Sequence, residues 1–261
     1  MKKALLIILL FIVLQGLFGI ASTLLASYFA NVYHPTPEQY NSIYNWILGL
    51  SLFLSNASMI IAVHFLLRTG TDKPTAYLKA PRWSDLPLTF ATLITLIFFV
   101  NGLTELLQAP DFIETALEGM IHNPLCLLTI VVVGPMAEEV CFRRGVLGLL
   151  LEDKKTTRYA LPLSALIFAL IHLNPAQMPG AFILGLFLGW LYQRTKSLTL
   201  PILCHIFNNG LSVLLGILLG TDVKLSEAFS NQLSFYIALT LSALLAALFF
   251  RLLKNKTTSA K

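Results

Sequence analysis

The sequence predicts an all-α fold, a polytopic membrane bundle of about eight transmembrane helices with both termini cytoplasmic. Three observations predict it. Of the 261 residues, 56% are hydrophobic and only 12% are charged, and the mean hydropathy of +0.76 lies outside the range of soluble domains. The apolar residues fall into long runs, and a run of about 20 residues crosses the hydrocarbon core of a bilayer. Lys and Arg gather at alternate ends of these runs, as they do in cytoplasmic loops close to the membrane.

The runs are read in order as Ala4 to Ser27, Trp46 to Leu67, Leu86 to Leu106, Leu125 to Leu151, Tyr159 to Ile171, Gly180 to Tyr192, Leu198 to Leu219 and Phe235 to Leu253. The first follows Met1-Lys2-Lys3 and begins like a signal peptide. It exceeds the roughly 7–15 apolar residues of a signal core, so it is expected to be a retained span. The fourth is interrupted by charge. The fifth and sixth are short for a crossing, and the linker His172-Leu173-Asn174-Pro175-Ala176-Gln177-Met178-Pro179-Gly180 between them is polar. It is expected to dip into the bundle, where irregular backbone survives only against protein or water.

Orientation follows from the basic clusters. Lys2 and Lys3, then Arg68, Lys73, Lys79 and Arg82, then Lys154, Lys155 and Arg158 all fall on one side of an eight-span chain. Arg194 and Lys196, then Arg251, Lys254, Lys256 and Lys261, continue on that side, whereas the opposite loops carry only Lys224. This assigns the net charge of +5 to membrane topology and argues against nucleic acid as a partner. Cys126, Cys141 and Cys204 lie inside apolar runs without paired spacing, and are read as packed small hydrophobes. No repeat or linker divides the chain, so residues 1–261 are read as a single transmembrane domain in a bacterial plasma membrane.

Polar groups inside the spans carry the functional signal, because a charge at a helix centre costs about 2.5–3.5 kcal/mol on insertion scales. The fourth run contains Gly134-Pro135-Met136-Ala137-Glu138-Glu139-Val140-Cys141-Phe142-Arg143-Arg144. Pro135 has no N–H to give to the helix ladder, so a bend is expected just before the carboxylates. Glu139 and Arg143 are four residues apart and face each other, which leaves Glu138 on another side of the helix. His172 ends the fifth run, and His205 and Asn209 stand one turn apart in the seventh. By contrast His34, His64, His122, Asn101 and Glu105 fall in loops or near span ends and are read as solvated or interfacial.

A carboxylate and two histidines on three spans match the needs of peptide hydrolysis. Glu138 is the candidate general base for water. His205 or the Asn209 amide is the candidate donor to the oxyanion, and His172 orients the water or protonates the leaving amine. A divalent metal such as Zn2+ held by Glu138, His172 and His205 is the competing form, although no H-E-x-x-H spacing occurs. Simple spans place His172 and His205 at different depths. Their meeting requires the fifth or seventh helix to be offset, tilted or broken, and a separation above about 12 Å would divide the site.

Glu138-Glu139-x-x-x-Arg143, Phe168-x-x-x-His172 and His205-x-x-x-Asn209, in this order on successive spans, resemble the CPBP family of CaaX proteases and bacteriocin-processing proteins, also called Abi. The resemblance covers residues 124–215. It implies a helical membrane endopeptidase related to the type II CaaX prenyl endopeptidase, with Glu138, His172, His205 and Asn209 in its active site. Glu139, Arg143 and Phe168 are expected to support them. The family has been described both as metalloproteases and as glutamate-dependent peptidases, so the resemblance leaves metal dependence open. The implied substrate is a membrane-associated or prenylated peptide or protein in the lipid bilayer. The alternatives are a non-catalytic bacteriocin self-immunity or surface-display scaffold, and a proton-coupled transporter, since buried Glu and His also serve proton relays.

Overall fold

The computed structural model describes residues 1–68, 77–221 and 223–258. Lys73 and Lys261, two members of the basic clusters, lie outside the described residues. Among the described residues the secondary structure is helical throughout, with no strand. We name the eight principal helices α1 (Lys2–Tyr33), α2 (Pro37–Leu67), α3 (Leu86–Leu107), α4 (Pro124–Glu152), α5 (Ala160–Leu170), α6 (Met178–Thr195), α7 (Thr199–Leu219) and α8 (Gln232–Thr258). A short helix, Glu114–Met120, stands between α3 and α4.

All eight expected spans are therefore helices, and they differ in length and apolar character. Among the described residues six helices are long and apolar enough to span a membrane: α1, α2, α3 with the turn before it, α4, α7 and α8. Helix α5, with the turn before it, covers Thr157–Leu170, shorter than the roughly 20 residues a straight crossing needs. Helix α6 loses apolar character in its last turn, Tyr192-Gln193-Arg194-Thr195. The two form a hairpin inside the bundle. Gly185 lets α6 close on α5, since a Cβ there would stand 3.3 Å from the Ala165 Cα, the small-residue contact that membrane helices use.

Helix α4 is the axis of the bundle. Half of its most apolar stretch is buried, against a third or less in the other five spanning helices. Ile7 and Phe11 of α1, Met59 and Val63 of α2, and Phe168 of α5 pack against Val140, Phe142, Val146 and Leu147 of α4. A second cluster joins Leu93 and Ile97 of α3, Phe187, Leu188 and Leu191 of α6, Leu200 and Cys204 of α7 and Leu253 of α8. Helices α4 and α7 meet along the seam between the clusters. Outward faces carry exposed apolar side chains such as Leu5, Leu9, Leu17, Leu244 and Leu248, the surface expected against lipid. The three cysteines are free and buried.

The bend expected at Gly134-Pro135 takes another form. Helix α4 is wound as a π-helix over Thr129–Val133, returns to α-helix over Gly134–Glu139, and is wound as a π-helix again over Val140–Leu147. The wide turn lets the Gly134 N–H reach back to the Thr129 carbonyl, so the chain passes the proline without breaking. Such windings concentrate at functional sites.

Candidate active site

His172 follows the end of α5 at Leu170, and its side chain is half-buried. Leu173 takes a left-handed conformation, φ 52°, which turns the chain sharply after His172. Buried Asn174 holds the turn in place. Its Nδ2 donates to Asp111 Oδ1 at 3.0 Å, and its Oδ1 accepts from the Phe112 N–H at 3.0 Å. The polar linker is thus tied to the loop after α3, and the sequence reading passed over both Asn174 and Asp111.

Phe168, buried at the last turn of α5, gathers the rest. Its ring centre lies 4.9 Å from that of His172, 6.0 Å from that of His205 and 5.3 Å from that of Phe142. The Arg143 guanidinium carbon lies 4.3 Å over its face. The first two distances together bound the separation of the histidines below the roughly 12 Å at which the site would divide.

Glu139 and Arg143 pair as their spacing predicts, Oε2 to Nε at 3.0 Å, with side chains 0% and 1% exposed. What spacing did not disclose is that Glu139 has a second partner. Its Oε1 lies 2.9 Å from His205 Nδ1, across 66 residues of sequence. An anionic carboxylate only accepts, so Nδ1 carries a proton and the imidazole is held with Nε2 turned the other way. That nitrogen stands 3.7 Å from Glu138 Oε2, and the Glu138 side chain is 23% exposed. His172 is held in the same sense, its Nδ1 donating to the Phe168 carbonyl at 2.8 Å. Both rings therefore keep Nε2 uncommitted to the protein backbone, and the two adjacent glutamates differ sharply: Glu139 is sealed and paired, Glu138 is open to a reactant.

Asn209 lies one turn beyond His205 on α7. Its Nδ2 donates to the Ile130 carbonyl of α4 at 3.0 Å, and its Oδ1 accepts from Asn208 Nδ2 at 3.0 Å. His34 and His122 are exposed, as read, and Glu105 accepts from the Ser226 N–H. His64 is half-buried three residues from the end of α2, with its Nδ1 turned inward.

The zinc alternative does not fit this arrangement. Among the described residues no group of three or more His, Cys, Asp and Glu side chains is placed to hold one metal ion, and the metalloprotease reading has no support in the geometry. The two nearest acidic partners of His205 lie on opposite edges of its ring, and one of them is already neutralised by Arg143.

Comparison with known proteins agrees with the motifs. Residues 120–211 match the family model described as Rce1-like, type II CAAX prenyl endopeptidase. The membrane-embedded CAAX protease MroQ of Staphylococcus aureus is 28% identical over 196 residues, 70% of this chain and 79% of that protein. "Putative membrane peptidase YdiL" of Bacillus subtilis is 32% identical over 92 residues, 35% of this chain and 37% of that protein. No solved structure matches the chain. With its Glu-Glu pair, two histidines and apolar helices, this chain is a multi-pass membrane peptidase whose residues 120–211 are similar to the Rce1-like family.

Proposed function

We propose that the protein is an endopeptidase that cuts a membrane-associated or prenylated peptide, with Glu138 activating the attacking water. The observation that carries this reading is the line Glu138, His205, Glu139, in which an accessible carboxylate faces an imidazole whose far nitrogen is anchored on a buried one. The Rce1-like match and the name CAAX protease borne by the Staphylococcus aureus relative support a prenylated peptide as the substrate class.

In this mechanism Glu138 removes a proton from water as the water oxygen bonds to the scissile carbonyl carbon. His172 Nε2, bare in the neutral ring because Nδ1 holds the proton, accepts a hydrogen bond from the same water and aims it. The carbonyl π pair moves onto oxygen, and His205, when Nε2 as well as Nδ1 carries a proton, donates Nε2–H to that oxyanion. When the C–N bond breaks, the proton held by Glu138 passes to the leaving amine. The basic clusters support cytoplasmic termini, and an even number of crossings, six or eight, keeps both ends on one side. Residues 124–215 form the motif-bearing catalytic core of a single transmembrane domain.

The test uses purified wild type and Glu138→Gln in lipid nanodiscs with membrane peptides that differ only in carrying a prenylated cysteine. Products are identified by mass spectrometry. Cleavage by wild type alone supports Glu138 as the base, and a cut made only in prenylated peptides establishes the substrate class. Equal cleavage by folded Glu138→Gln removes Glu138 from that role. Cleavage by neither protein returns the chain to a non-catalytic immunity or display scaffold.

A further inference from the structure

The carbonyl of Ile130 lacks its α-turn and its π-turn donor. In an α-turn it would accept from the Gly134 N–H, but that group goes to the Thr129 carbonyl. In a π-turn it would accept from residue 135, and Pro135 has no N–H. A carbonyl left without a donor in a membrane interior is costly, and the side chain that reaches this one is Asn209, 79 residues away, with Nδ2 at 3.0 Å. The amide cannot be turned over without loss, because Asn208 Nδ2 donates to its oxygen. Asn209 therefore ties α7 to α4 about two turns before Glu138, one turn along α7 from the histidine that faces Glu138.

We propose that Asn209 is a positioning residue: by capping the carbonyl that Pro135 orphans, it sets the register of Glu138 against His205, rather than serving as an oxyanion donor. The proposal rests on the peptidase reading for its kinetic consequence, but the clamp itself is independent of it. Misplacing a reacting group by about 1 Å costs on the order of 10²-fold in rate, and loss of an oxyanion donor costs about 10²–10³-fold. Size of effect does not separate the two roles. Rescue does, because Pro135→Ala gives Ile130 a main-chain donor and makes the Asn209 amide dispensable.

The experiment compares wild type, Asn209→Ala, Pro135→Ala and the double variant, by thermal unfolding in detergent and by kcat and KM on one cleavable peptide. The clamp predicts that Asn209→Ala lowers kcat about 10²-fold with little change in KM and lowers the unfolding temperature. Pro135→Ala then recovers at least about tenfold of that rate, together with most of the lost stability. Asn209→Ala that fails to fold alone but folds in the Pro135→Ala background is the same rescue. Additive losses in both readouts, or a double variant no better than Asn209→Ala, overturn the clamp. Recovered stability without recovered kcat overturns the positioning role and returns Asn209 to the oxyanion. If wild type cleaves nothing, the peptidase reading fails, while the stability cycle still decides the clamp.

Discussion

Glu139 and His205, 66 residues apart in sequence, meet at 2.9 Å through Oε1 and Nδ1 in a contact closed to solvent. The same carboxylate neutralises Arg143 through its other oxygen, so one buried anion orients an imidazole and satisfies a cation at once. Removing it leaves Arg143 uncompensated, and breaking such a buried pair costs about 3–5 kcal/mol. Glu139→Gln is expected to lower the unfolding temperature sharply in a thermal scan. Glu139→Gln with Arg143→Met, which removes the stranded charge as well, is expected to recover most of the stability but not the orientation of His205. A double variant as unstable as the single one would contradict this account.

Glu138 stands in contrast. Its carboxylate is partly accessible and lies 3.7 Å from His205 Nε2, beyond a hydrogen bond, so little of the fold depends on it. Glu138→Gln should unfold within a few degrees of wild type while losing about 10²–10⁴-fold in cleavage rate, the range for a general base. A large loss of stability would show that Glu138 is a structural group instead.

Phe168 touches both histidines, Phe142 and Arg143. Phe168→Ala opens a cavity at this hub and is expected to cost about 3–5 kcal/mol and to abolish cleavage. Phe168→Leu, which keeps more of the volume but not the face over the guanidinium, should retain the fold with a smaller loss. Chemical denaturation of the two variants separates these effects; equal stability of Phe168→Ala and wild type would remove Phe168 as the hub.

Helix α6 offers a test of packing rather than chemistry. A Cβ at Gly189 would meet Leu161 Cδ1 at 2.6 Å, and one at Gly185 would meet the Ala165 backbone at 3.3 Å. The shorter contact is the milder one, because a leucine tip rotates away and a backbone does not. Gly185→Ala should therefore destabilise more than Gly189→Ala, by an overpacking cost of about 1–3 kcal/mol, and the reverse order in unfolding temperature would refute the close approach of α5 and α6.

The geometry also predicts that a chelator leaves cleavage unchanged, since no three candidate ligands among the described residues converge. Loss of activity on chelation, restored by Zn2+, would overturn this.

Local patterning determined much of this protein by itself. Apolar run length marks the helices, because a bilayer sets how many residues a crossing needs, and the four-residue spacing of Glu139 and Arg143 marks their pairing, because an α-helix repeats near that interval. Three motifs, on α4, α5 and α7, named the polar residues that meet at the seam. Only tertiary structure decided the rest. That His205 reaches Phe168 beside His172, that His205 finds Glu139, and that Asn209 finds the carbonyl orphaned by Pro135 all depend on how α4, α5 and α7 are set in depth and rotation. Those settings come from packing between helices distant in sequence, around Phe168 and the π-wound turns of α4, and no period or spacing within a single helix encodes them.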